Sequence, residues 1–268
     1  MIELLEKDRK MENRQSSKGN QSKWLKEDIW YKADFTGYEG LAEYCVSALL
    51  KKSSLEEKEY VLYETEEIQY KYVHYLGCKS KNFLPEGWTM ITLERLFQNL
   101  YGESLNRCIY QIADYKNRVR FLVEQTIRMT GLEDFGKYIS KLLTIDAFFL
   151  NEDRHTHNIA VLRDAEGEFH YCPIFDNGGG LLSDMAVDYP LGAPLEELME
   201  HVSAKTVCAD FDEQLEAVES LYGTTLTFSF GKKDIEELPR KETLYPEKIK
   251  ARVYEILSVQ MRKYQYLF

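Results

Sequence analysis

A chain of 268 residues with 44% hydrophobic content can bury a sizeable core and suits one domain of two lobes or two small domains. Its formal net charge of -11 argues against a surface held to nucleic acid or anionic lipid by phosphate neutralisation, so neither is expected as a partner. No apolar run approaches the about 18 residues that span a bilayer, the N-terminus lacks a signal-like apolar stretch, and Cys45, Cys78, Cys108, Cys172 and Cys208 are scattered without metal-ligand spacing, all of which predicts a cytoplasmic protein with buried thiols.

Residues 1–13 read as a charged leader, followed by a polar segment from Arg14 to Ser22. Ile29 to Asp34 alternates as a strand whose partner is the stretch near Trp24, and a polar turn leading into such strands is a candidate phosphate clamp. After the turn at Thr36-Gly37-Tyr38, Leu41, Cys45, Ala48 and Leu49 recur at helical spacing, and Lys51-Lys52-Ser53-Ser54 stops the helix. Two β-prone runs, Glu59 to Tyr63 and Gln69 to Leu76, precede a turn at Pro85-Glu86-Gly87. A small sheet carrying one helix is the expected N-terminal unit, over 14–87.

From Thr92 the pattern becomes helical, through Leu93, Leu96, Phe97 and Leu100 and then Val119, Leu122, Val123, Ile127 and Met129, which puts the lobe boundary near 85–91. Phe135 to Leu150 is apolar on most faces and should be the buried axis of a second, mainly helical lobe over 88–268. A hairpin follows, with Ile159 to Leu162, a turn at Asp164 to Gly167, and Phe169 to Phe175. The segments around Leu195 to Val202, Phe211 to Leu221 and Ile249 to Tyr264 also read as helices.

The apolar helix delivers the chain into Asn151-Glu152-Asp153-Arg154-His155-Thr156-His157-Asn158, and the hairpin into Ile174-Phe175-Asp176-Asn177-Gly178-Gly179-Gly180. An aspartate, an asparagine five residues on, a hairpin and a second aspartate form the spacing with which kinase folds assemble a phosphoryl-transfer centre. That chemistry asks for positioning and charge neutralisation more than for covalent catalysis. Asp153 suits the carboxylate near the attacking hydroxyl, while Asn158 and Asp176 suit the magnesium ligands, because the antiparallel return brings 176 back beside 158. Singly, each of these residues is an ordinary turn former.

Lys32, central in the first strand, faces the nucleotide if Tyr31 and Ala33 face the other way. Glu43 on the following helix is the expected partner of Lys32, with Glu39 one turn earlier as the competitor. The polar turn, through Ser17, Gly19, Asn20 and Gln21, offers backbone amides to phosphate oxygens. His155 is expected to fix the catalytic loop by packing or hydrogen bonding; the alternative is a transition-metal hydrolase centre of His155 and His157 with Asp153 and Asp176.

These motifs resemble a family. Asn-x-Asp-Arg-His-x-x-Asn followed by Ile-Phe-Asp-Asn-Gly resembles the HipA-like serine/threonine kinases, and its Asp-Arg-His-x-x-Asn core is similar to the phosphatidylinositol 3- and 4-kinases. Ser17 to Trp24 resembles the HipA phosphate-binding loop and Trp30-Tyr31-Lys32 its nucleotide-lysine strand, so the likeness runs from about residue 16 to about residue 185. The resemblance implies an α+β, bilobal protein-kinase-like fold. It also implies ATP and Mg2+ as cofactors, Asp153 as catalytic aspartate, Asn158 and Asp176 as magnesium ligands, and Lys32 on the nucleotide phosphates.

The implied substrate is a protein with a serine or threonine hydroxyl, and an antitoxin or regulator is an implied partner. Ser16, Ser17 or Ser22 is the implied analogue of the autophosphorylated serine. The chain begins almost at the phosphate loop, so the N-terminal subdomain of full-length HipA proteins is expected to be absent, and the glycine run after Asp176 is expected to be pliant. Two further readings share the motifs: a lipid or small-molecule kinase, and a non-catalytic nucleotide-binding pseudokinase or scaffold.

Overall fold

The computed structural model describes residues 1–10 and 21–268. Chain contacts gather them into two compact units, one of Met1–Phe83, Phe175–Val202 and Phe228–Phe268, the other of Leu84–Ile174 and Ser203–Thr227.

Among the described residues the first unit is built on a six-stranded sheet. Its strands are β1 (Ile2–Leu4), β2 (Arg9–Lys10), β3 (Lys23–Lys26), β4 (Ile29–Ala33), β5 (Glu64–Tyr70) and β6 (Val73–Lys81), in the spatial order β1-β5-β6-β4-β3-β2. Among the described residues only β1 and β5 pair in parallel in this sheet. β3 and β4 form a tight hairpin with Trp24 opposite Tyr31, and its two turn residues, Glu27 and Asp28, both take positive φ (52° and 62°). That backbone twist matches the twist of the strands it joins.

Two expectations are corrected here. Residues 2–10, read as a charged leader, supply two strands, because short strands of mixed charge at a sheet edge leave almost no alternation to detect. The β-prone runs also shift. Glu59 to Tyr63 precedes the strand, which is Glu64–Tyr70, and Gln69 to Leu76 straddles the hairpin turn at Lys71, where φ is 56°. Tyr60, Val61 and Tyr63 lie outside the strand and are buried, which accounts for their aromatic and apolar character.

One face of this sheet buries Leu4, Trp24, Tyr31, Ala33, Ile68 and Tyr70 as a cluster, with the Trp24 and Tyr70 rings 5.2 Å apart. Helix α1 (Glu39–Leu50) packs against β4, β5 and β6, burying Leu41, Cys45, Val46 and Leu49. It comes unusually close: a Cβ built on Gly40 would strike the backbone of Gly77 in β6. A side chain is excluded at Gly40 by the β6 backbone and at Gly77 by the β4 backbone at Lys32 and Ala33.

In the second unit α2 (Leu93–Tyr101), α3 (Leu105–Gln111) and α4 (Tyr115–Thr130) start at Thr92, Ser104 and Asp114, whose side chains accept from the amides of Arg95, Arg107 and Asn117. α2 and α4 end on Gly102 and Gly131 in the left-handed conformation. α5 (Phe135–Phe149) is the apolar axis expected from sequence and packs on α4 and on the later helix Phe211–Tyr222. A three-stranded sheet, β7 (Thr89–Thr92), β8 (Ala160–Arg163) and β9 (Phe169–Tyr171), includes the predicted hairpin. β7 was not expected; it borders α2 so closely that Thr92 ends the strand and caps the helix.

The remaining helices are α6 (Leu195–His201), α7 (Phe211–Tyr222), α8 (Lys232–Lys241) and α9 (Glu247–Lys263). Of these α6, α8 and α9 belong to the first unit and α7 to the second. Among the described residues no helix is long and apolar enough to cross a membrane.

Candidate active site

In the first unit three predicted residues meet. With Tyr31 and Ala33 in the sheet core, the alternation of β4 turns Lys32 to the opposite face, where α1 lies. Its ammonium Nζ lies 2.6 Å from Glu43 Oε1 and 2.7 Å from Asp176 Oδ1, with the Tyr63 hydroxyl at 3.5 Å. Lys32 is 8% exposed and Glu43 1%. Burial by itself would favour a neutral lysine, but Asp176 and then Glu43 outweigh it and hold the ammonium well above the usual lysine range. Lys32 is therefore a fixed positive charge.

Glu43 also accepts the backbone N–H of Asn177 through Oε2, at 2.9 Å. One buried carboxylate thus fastens both the lysine and the chain just past Asp176. Asp176 has φ of 61°, a conformation that few non-glycine residues adopt and that clusters at functional sites. Glu39, the competing partner, is engaged elsewhere: its carboxylate accepts from the amides of Phe35, Thr36 and Gly37 and from the Thr36 hydroxyl.

The segment after Asp176 is tied to the turn ahead of α1. Thr36 O accepts from the amides of Met185 and Ala186, Ser183 O accepts from Tyr38 N, and the Tyr38 hydroxyl donates to Leu181 O at 2.5 Å. From α9, the Arg252 guanidinium donates to Tyr189 O at 2.8 Å. Asp34 closes the base of this turn, accepting from Gly40 N and from the Tyr245 hydroxyl at 2.6 and 2.7 Å. Burial, and then Glu39, push the Asp34 carboxyl up to about 7 against those two hydrogen bonds.

In the second unit the loop 151–158 is fastened from below. α5 ends at Leu150 in the left-handed conformation, with Asn151 N donating to Asp146 O. Asp146 is the one acid in α5 and is fully buried, so it demands a partner. The partner is Arg154, itself 2% exposed, whose Nε lies 3.2 and 3.1 Å from the two carboxylate oxygens. Arg154 Nη1 donates to Asn158 O, and Arg154 O accepts from the Thr206 hydroxyl. Thr156 donates to the buried Glu94, which also accepts the Asn106 amide.

On this base Asn158 Nδ2 donates to Asp153, to its carbonyl oxygen at 2.8 Å and its Oδ2 at 3.2 Å. With the nitrogen so committed, the amide oxygen is the end left to meet a cation. His155 Nε2 lies 3.8 Å from Asp153 Oδ1, its buried Nδ1 has no hydrogen-bond partner among the described residues, and its ring stands edge-on to His157 at 5.5 Å. Burial lowers the His155 pKa despite the pull of Asp153, which favours the neutral ring.

The predicted residues therefore fall into two groups, Lys32 with Glu43 and Asp176, and Asp153 with His155 and Asn158. Gln21 sits two residues ahead of β3, and Ser17, Gly19 and Asn20 lie outside the described residues. Sequence reasoning passed over Asp146, Arg154, Thr156 and Glu94. The available signal was the lone acid in an apolar helix eight residues before an arginine.

No family model matches the chain, and no curated protein is similar to it in sequence. Among solved structures it is similar to a Helicobacter pylori proinflammatory kinase, CtkA, with a TM-score of 0.60 over 91% of this chain and 88% of that one, at 15% identity. A likeness at that identity speaks for the fold: the chain has an α+β, protein-kinase-like fold, with an N-terminal sheet and a larger helical region.

Proposed function

We propose that the protein is an ATP- and magnesium-dependent phosphotransferase that moves the γ-phosphoryl group to a serine or threonine hydroxyl of a protein. The observation that carries this reading is the buried Lys32 ammonium, held at 2.6 Å by Glu43 and at 2.7 Å by Asp176. A fixed cation beside a carboxylate in an uncommon backbone conformation is what nucleotide phosphates and their metal require.

Lys32 neutralises the phosphates that are not transferred, and Glu43 keeps it extended toward them. Asp176 and Asn158 supply hard oxygen donors suited to magnesium. Magnesium, when bound, offsets the charge that develops on the phosphoryl oxygens. Asp153, steadied by Asn158, receives the proton of the acceptor hydroxyl as that oxygen bonds to the γ-phosphorus and the bond to the departing ADP breaks. Arg154 and Asp146 touch none of the reacting atoms; they position the loop. The protein acceptor rests on the resemblance of the 151–158 and 174–178 motifs to the HipA-like kinases.

A panel offering labelled ATP with protein, inositol-lipid, sugar and nucleoside acceptors tests the assignment. Label is expected on protein serine or threonine; label confined to a lipid or small molecule would replace the acceptor, and none on any acceptor would replace the reaction.

A further inference from the structure

The stretch from Asp176 to Val202 holds six acidic residues, Asp176, Asp184, Asp188, Glu196, Glu197 and Glu200, and no lysine or arginine. Its outer half is also unusually apolar for an exposed segment: Val187 is 73% exposed and Leu191 43%. Phe35, 60% exposed, stands beside Thr36, whose carbonyl binds the amides just before Val187.

Helix α6 then buries none of its side chains. Leu195, Leu198 and Met199, at i, i+3 and i+4, share one face and are only half-buried, while Glu196, Glu197 and Glu200 are exposed and make no ion pair among the described residues. A short helix with a half-covered apolar stripe gains little stability from its own packing, and such faces on soluble proteins mark places where a partner adds the missing cover.

We infer that residues 187–200 form a docking surface for a basic, leucine-rich polypeptide segment of the protein acceptor, a proposal that rests on the protein-kinase reading above. Charge complementarity selects the occupant. A segment seating apolar side chains on Val187, Leu191, Leu195, Leu198 and Met199 would meet Glu196, Glu197 and Glu200 around them, and no cation of this stretch would repel its arginines. A second copy of the chain, at a net charge of -11, is a poorer match for the same surface.

The test uses the full chain and a short labelled peptide carrying arginines and leucines around one serine. Fluorescence anisotropy should show binding that weakens with added salt and falls about tenfold in a Glu196→Lys, Glu197→Lys, Glu200→Lys variant. Val187→Ser with Leu191→Ser should weaken it at every salt concentration. The triple variant should in turn bind a peptide whose arginines are replaced by glutamates.

Unchanged affinity in both variants, or equal wild-type affinity for the acidic peptide, would overturn the inference. So would self-association that the serine variant abolishes. Binding with the expected charge pattern but no phosphoryl transfer to any hydroxyl would remove the kinase reading and leave the docking surface. Transfer to proteins with no charge preference in binding would do the reverse.

Discussion

Arg154 Nε lies between the two carboxylate oxygens of Asp146, at 3.2 and 3.1 Å, and neither side chain reaches solvent. Burial raises the Asp146 pKa and Arg154 opposes it, so removing the arginine leaves an acid with nowhere to place its charge. Arg154→Met should cost about 3–5 kcal/mol, the usual result of orphaning one member of a buried pair. Asp146→Leu with Arg154→Met should cost less than the single change, with a residue of about 1–3 kcal/mol from the lost bond to Asn158 O. Urea denaturation of the three proteins measures both, and a single-variant cost under about 1 kcal/mol would contradict the account.

Lys32→Met removes the cation between Glu43 and Asp176. The buried Glu43 and the half-buried Asp176 carboxylates then face each other without their cation, and the loss of stability should reach about 3 kcal/mol. Glu43→Gln keeps the shape and removes the charge; magnesium-dependent nucleotide binding should weaken about tenfold, read by isothermal titration.

Asp34 gives a pH dependence of its own. Its folded pKa of about 7 lies above the ordinary 3.8, so the folded protein keeps a proton that the unfolded chain releases. The stability this contributes is complete below the unfolded value and is lost as pH rises through about 7. After a discount for partial exposure it amounts to about 2 kcal/mol. Asp34→Asn should flatten thermal stability between about pH 5 and about pH 8. An unchanged slope would show that the group does not titrate there.

A Cβ on Gly77 would fall on the Lys32 carbonyl oxygen and against the Ala33 backbone of β4. Gly77→Val should force β4 and β6 apart at this point, costing about 1–3 kcal/mol. Nucleotide binding should suffer too, because the same movement shifts the β4 backbone that carries Lys32. Wild-type affinity in a destabilised Gly77→Val protein would separate packing from site geometry.

What could be read from sequence was local. The β4 alternation, the apolar run of α5 and the spacing from Asp153 to Asn158 each lie within one element or one loop, where periodicity carries the signal. The choice between Glu39 and Glu43 lay beyond that reach, since both are one turn apart on one helix. Glu39 is drawn to three amides of the preceding turn, an interaction that only the folded backbone displays.

The Asp34–Tyr245 bond spans 211 residues and joins β4 to the start of α9, and no pattern in either segment names the other. The strands at residues 2–10 were missed for a different reason: they are too short and too polar to alternate. The run Glu59 to Tyr63 reads as strand because β-prone composition marks buried aromatic residues whether or not they lie in one.

The central claim is phosphoryl transfer through Asp153, and the most direct measurement follows labelled γ-phosphate from ATP into acceptor protein for wild type and Asp153→Asn, with urea midpoints taken alongside. Asp153→Asn keeps a side chain of the same shape beside Asn158, so the midpoint should stay within about 1 kcal/mol of wild type while transfer falls at least about a hundredfold. Equal label incorporation by the two folded proteins would contradict the account.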